Sequence, residues 1–130
     1  MQQQLDRLKF DGNGLIPIIV QDVRNNEVLM MAWMNREAVE LTIRTGKVHT
    51  YSRSRGRLAL KGESSAHYQH VRRVLTDCDR DVLLFKVEQD VAACHEGYRS
   101  CFFRQYEEGA ADWTVIAERV FDPDAVYHNK

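Results

Sequence analysis

Asp77, Cys78, Asp79, Arg80 and Asp81 put three carboxylates, a thiol and a guanidinium into five consecutive positions. On an extended backbone alternate side chains share a face, so Asp77, Asp79 and Asp81 would line one side, with Cys78 and Arg80 on the other. Three carboxylates along about 14 Å of chain repel one another unless a cation sits among them. Oxygen ligands favour a hard ion such as Mg²⁺, which keeps several waters and uses one or two carboxylates together with substrate phosphate. A solvated acidic turn is the plainer reading of the same residues. An EF-hand calcium loop is excluded: Val82 stands at the sixth position, where glycine is required, and Val82–Val87 is strand-like where a helix should exit.

The thiols come next. Fifteen residues separate Cys78 from Cys94, and six separate Cys94 from Cys101. The absence of a C-x-x-C pair excludes a zinc ribbon and a thioredoxin-type redox site. Three thiolates without a fourth protein ligand fit a catalytic zinc, which keeps one position for water, better than a closed structural one. His95 adjoins Cys94 and would point away from it on an extended backbone. The alternative is three small buried apolar cysteines. Against it stand the place of Cys78 inside the acid cluster and the polar stretch His95–Ser100 between the other two.

Tyr51–Arg57 followed by Lys61 carries four cations and no acid before Glu63. Extended, it projects Arg53, Arg55 and Arg57 to one side as planar forks suited to phosphate. A solvated basic edge strand, which protects a sheet from aggregation, is the competing reading. Lys61-Gly62 reverses the Gly-Lys order of a P-loop, so no nucleoside-triphosphate cradle is expected. His67, after Gly62-Glu63-Ser64-Ser65, is a candidate proton carrier near neutral pH if a metal site lies close by.

These residues need elements to hold them. Leu15–Val20 and Glu27–Trp33 read as strands, joined by a turn at Arg24-Asn25-Asn26. One helix follows, capped by Asn35, with Glu37 in its first turn, a buried stripe of Ala38, Leu41 and Thr42, and Gly46 at its end. Further strands are expected at Val48–Ser54, around Leu58–Leu60, and at His67–Thr76, Asp81–Gln89 and Cys101–Tyr106. Short strands with a single main helix predict a mainly β (α+β) protein, with antiparallel sheets or a barrel-like domain. Residues 1–106 form the expected functional domain, and 107–130 a C-terminal tail of different composition.

The chain's 130 residues suit one domain. With 18 Lys and Arg against 19 Asp and Glu, its net charge of −1 argues against a general polyanion binder. The apolar run Val28–Met34 is far short of the ~20 residues of a membrane span, and MQQQLDRLKF has no apolar signal core. A cytoplasmic protein with reduced thiols is expected. A zinc nucleobase deaminase is excluded, because neither H-x-E nor P-C-x-x-C occurs.

In combination GLIPIIVQD, EVLMMAWMN, YSRSR, KGESSAH, DCDRD and ACHEGYRSCFFR, in that order over Asp11–Arg104, resemble the phosphoribosyl-AMP cyclohydrolase family of histidine biosynthesis. The resemblance implies hydrolytic opening of the adenine ring of phosphoribosyl-AMP between N1 and C6. It implies zinc on Cys78, Cys94 and Cys101, Mg²⁺ on Asp77, Asp79 and Asp81, and an intertwined homodimer whose subunits share the zinc ligands. With it, His67 becomes the candidate general acid, and Arg53, Arg55 and Lys61 the candidate phosphate ligands. Ala59 stands where the family often has Trp, and Ala66 where Gly is common before the His. A zinc-stabilised RNA-binding module reading RNA through Tyr51–Arg57 is the alternative, and it would turn three aspartates toward a polyanion.

Overall fold

In the computed structural model, which describes residues 1–127, a short N-terminal helix α1 (Gln2–Asp6) precedes the apolar run at Leu15, which forms strand β1 (Leu15–Asp22). Its alternation decides its burial. Ile16, Ile18 and Val20 are fully buried on one face, while Ile19 on the other is exposed. The same face continues to Asp22, so an ionisable side chain ends a row of aliphatic ones and is itself fully buried. A turn with Asn26 at φ 62° leads into β2 (Val28–Asn35), antiparallel to β1. Asparagine tolerates this left-handed conformation, as the sequence predicts.

Helix α2 (Arg36–Thr45) is capped as expected. The Asn35 side chain accepts from the Ala38 N–H at 2.9 Å, and Gly46 closes the helix at φ 73°. Its buried face is Ala38, Val39 and Thr42. Leu41, expected in that stripe, is half-buried, because Val39 and Thr42, three apart, share the inner face. The hairpin β3 (His49–Ser52) and β4 (Arg57–Leu60) follows, then β5 (Gln69–Thr76) and β6 (Leu83–Gln89).

The main sheet has the order β2-β1-β6-β5. Its outer pairs are antiparallel, and β1 and β6 run parallel through the centre. A parallel pair needs a long crossover, here everything from β2 to β5. The protein is therefore mainly β with few, short helices, as expected. The sheet is open, with β2 and β5 at its edges, so the barrel-like variant is not adopted. Phe85 and Val87 of β6 complete the core with Ile16, Ile18, Val20, Leu29 and Met34.

Cys101–Tyr106 yields only β7 (Arg104–Gln105), paired with β8 (Thr114–Val115). The preceding donors are spent elsewhere: the Cys101 N–H on the Leu29 carbonyl and the Phe102 N–H on Ser100 Oγ. A last helical turn, α3 (Pro123–Tyr127), ends the described segment. The final three residues of the tail, 128–130, lie outside the described residues. Among the described residues no helix is long and apolar enough to cross a membrane.

Candidate active site

Beyond the last residue of β6 the chain makes a tight loop that brings two thiols face to face. The Ala93 N–H donates to the Arg99 carbonyl at 2.9 Å and the Cys94 N–H to that of Tyr98 at 3.2 Å, so residues 94–98 close as a short hairpin. Cys94 is buried beneath this loop and Cys101 is exposed at its end. Cys101 is fixed to the edge of β2 by its own N–H on the Leu29 carbonyl (2.7 Å) and by Ser100 Oγ donating to the Val28 carbonyl (2.7 Å).

The two thiols are close enough to interact electrostatically, and Cys94 Sγ accepts from the Glu96 N–H at 3.4 Å. Desolvation, then the neighbouring Cys94 thiol, pushes the Cys101 thiol up to about 11, while Lys61 pulls the other way. The Lys61 ammonium is in turn lowered by burial and supported by both thiols. Two soft donors held together beside a cation are the kind of group that binds a thiophilic metal once deprotonated. This pair supplies half of a tetrahedral sulfur site and fits zinc to that extent.

The acid cluster sits at the other end of β6. It is not extended: the Arg80 N–H donates to the Asp77 carbonyl (3.1 Å), Arg80 lies at φ 60°, and the chain turns. The turn brings donor atoms of Asp77, Cys78 and Asp79 within 4.8 Å of one another, all three residues exposed. Cys78 therefore lies beside two of the carboxylates instead of opposite them, because a β5–β6 hairpin connection must reverse direction here. The Asp81 N–H donates to Asp77 Oδ1 at 3.2 Å. Partial desolvation, then the charge and hydrogen bond of Asp77, hold the Asp81 carboxyl above its usual range. The seven residues of β6, about 23 Å of strand, intervene between Cys78 and the facing pair.

His67 is delivered by the loop after Lys61. Gly62, at φ +94°, is required there, since a Cβ would stand 2.5 Å from the His67 carbonyl oxygen. Ala66 adopts φ 63°, a left-handed conformation, immediately before His67. The His67 N–H donates to Ser65 Oγ at 3.2 Å, and its ring meets the Phe121 ring edge-on at 4.8 Å. Arg53 and Arg55 lie at the tip of the β3–β4 hairpin, Arg53 over the Trp33 ring at 4.6 Å. Lys61 lies at its base beside the thiols, a four-residue strand or about 13 Å away, so the basic residues do not form one cluster.

Two features escape the sequence reading. The tail crosses the thiol loop: Arg119 Nε donates to the Glu96 carbonyl at 2.9 Å, and the Val120 N–H to that of Gly97 at 2.8 Å. An open cleft of about 350 Å³ lies there, lined by His95, Glu96, Arg119, Asp122 and Tyr127 among others. Nothing local to residues 117–121 signals this. The second is Arg99, whose guanidinium is paired with buried Asp22. Its signal was available, since strand alternation carries the buried face of β1 on to Asp22.

A small α+β protein with facing thiols and a lysine beyond one end of β6, and carboxylates with a third thiol at the other, has side chains at both ends that could serve a metal-assisted enzyme. Its relatives specify the class further. The family model for phosphoribosyl-AMP cyclohydrolase matches residues 30–103. The chain is 57% identical to the phosphoribosyl-AMP cyclohydrolase of Methanococcoides burtonii over 95% of this chain and 98% of that protein. It is 55% identical to that of Methanoregula boonei over 92% of this chain and 94% of the relative. With that of Pelotomaculum thermopropionicum it shares 54% identity over 98% of both. The chain belongs to the phosphoribosyl-AMP cyclohydrolase family, and so to the hydrolases.

Proposed function

We propose that this chain opens the adenine six-membered ring of phosphoribosyl-AMP by adding water at C6 and breaking the C6–N1 bond, a step of histidine biosynthesis. The product is the formimino-aminoimidazole carboxamide ribotide. The observation that carries this reading is the facing pair Cys94 and Cys101 beside Lys61, within the segment that matches the family. Water attacks an aromatic amidine carbon poorly at pH 7. Cys94, Cys101 and a third thiolate would hold a zinc, which would supply the Lewis acidity that makes water a competent nucleophile.

The chain's own residues do the rest. Lys61 offsets the negative charge of gathered thiolates. N1 must gain a proton as its bond to C6 breaks, and His67 is the proposed donor. Arg53 and Arg55, exposed on the hairpin tip, bind a phosphate-bearing end of the substrate. Asp77 and Asp79, whose carboxylates are already gathered, would hold Mg²⁺ with Asp81, whose own N–H ties the turn to Asp77 Oδ1.

The third thiolate is Cys78 of a second subunit in this reading, which makes the active form a homodimer. Two observations support it: Cys78 is exposed at the far end of β6, and exposed apolar side chains such as Met31, Phe102, Trp113 and Ile116 await cover. The direct test is to incubate zinc- and magnesium-loaded protein with phosphoribosyl-AMP and follow the ultraviolet spectrum. Loss of the intact purine is expected, and an unchanged spectrum rejects the assignment.

A further inference from the structure

The core face of the sheet ends in a polar rung. Asp22 on β1, Gln89 on β6 and Gln69 on β5 continue the buried rows of those strands, and all three are essentially inaccessible to solvent. Gln69 Nε2 donates to Gln89 Oε1 at 2.8 Å, and Gln89 Nε2 donates to the carbonyls of Asp90 (3.0 Å) and Ala92 (3.2 Å). That holds the arm of the loop arriving at Cys94. The arm leaving toward Cys101 is held by Arg99. Its Nη1 donates to the Val91 carbonyl at 2.9 Å and weakly to that of Gln89 at 3.3 Å, while Nη2 engages the Asp22 carboxylate. Glu27 stands nearby, 3.9 Å from Nε.

One guanidinium thus joins the end of β1, the end of β6 and the arm arriving at Cys94 to the arm that leads on to Cys101. Cys101, two residues on, is fixed independently to β2. The gap between the sulfurs is set by where Arg99 places the loop.

We propose that the Asp22–Arg99 pair is a positioning device for the thiol pair, presetting the Cys94–Cys101 separation that a metal requires. The inference rests on the zinc reading of these cysteines and adds residues that touch neither metal nor substrate. A planar fork can serve a carboxylate and two carbonyls at once, and a lysine ammonium on a flexible stem cannot hold that geometry. Asp22 also accepts from the Arg24 N–H at 2.8 Å, so it is itself held in place by the β1–β2 turn.

The test is a cadmium titration of the zinc-stripped full chain, read by the thiolate-to-metal absorption in the near ultraviolet, with the thermal midpoint measured in parallel. Arg99→Lys should fold and bind cadmium about 10–100-fold more weakly, the range typical of partners that orient metal ligands. Asp22→Asn keeps the shape of the side chain and serves as the second variant should Arg99→Lys not fold; the same weakening is expected. Val39→Ala, a core truncation on α2 beside Leu83 at the opposite end of β6, should lower the thermal midpoint and leave cadmium affinity unchanged. Wild-type affinity in both Arg99→Lys and Asp22→Asn overturns the inference, as does an equal loss in Val39→Ala. A wild-type chain that gives no cadmium–thiolate band, or a Cys94→Ser variant that keeps it, overturns the zinc reading itself.

Discussion

At the scale of single residues the proposed site would depend on sulfur chemistry and on one uncomfortable backbone position. Cys94→Ser replaces a thiolate by a hydroxyl, a far poorer zinc ligand. Zinc content and ring-opening activity should both be lost, with the far-ultraviolet circular dichroism nearly unchanged because Cys94 lies outside every strand and helix. Full activity without zinc would reject the site. Ala66 offers a test on stability alone. A non-glycine residue in the left-handed region costs about 1–2 kcal/mol, and glycine's extra freedom in the unfolded chain returns about 0.5–1 kcal/mol of that. Strain is the larger effect, so Ala66→Gly should stabilise by about 0.5–1 kcal/mol and raise the thermal midpoint by a few degrees. Gly62→Ala should do the opposite by roughly 2 kcal/mol or more, since its Cβ would meet backbone that cannot move aside cheaply.

At the scale of elements, β6 matters most, because it carries the two halves of the donor set at its opposite ends. Asp79→Asn alters only the acid turn, keeping its shape and removing a charge. It should raise the half-saturating Mg²⁺ concentration and leave zinc content near normal; an unchanged magnesium response counts against this turn as the hard-ion site. The elements themselves were legible in the sequence where local chemistry is decisive. Asn35 and Gly46 mark the ends of α2 by capping, and β-branched alternation marks β1. What failed was whatever depends on a neighbour. The acid cluster reads as extended until a hairpin connection must be fitted between β5 and β6. Cys101–Tyr106 has the composition of a strand, yet its donors are taken by β2 and by Ser100. The setting of the cysteines makes them candidate ligands, but their division into a facing pair and a distant third depends on the sheet order, which no local pattern carries.

At the scale of the whole molecule that division becomes a statement about assembly. In the described chain Cys78 groups with Asp77 and Asp79, whereas Cys94 and Cys101 face each other beyond the opposite end of β6. A three-thiolate zinc then requires Cys78 from another copy, and zinc would bind the folded dimer and stabilise it by mass action. Two individually inactive variants, Cys78→Ala and Cys101→Ala, provide the test when mixed and refolded together. In the proposed two-fold dimer each site would take Cys94 and Cys101 from one subunit and Cys78 from the other. The mixed dimer therefore holds one site missing two thiolates and one site complete, so activity should return to about half the wild-type value per heterodimer. If Cys78 and Cys101 served the same site from the same chain, every site in the mixture would lack a thiolate and activity would stay absent. The measurement is ring-opening activity after refolding at varied ratios of the two variants, which should peak at equal proportions. Sedimentation in zinc supplies the second arm: a zinc-replete, active monomer would reject the shared site altogether.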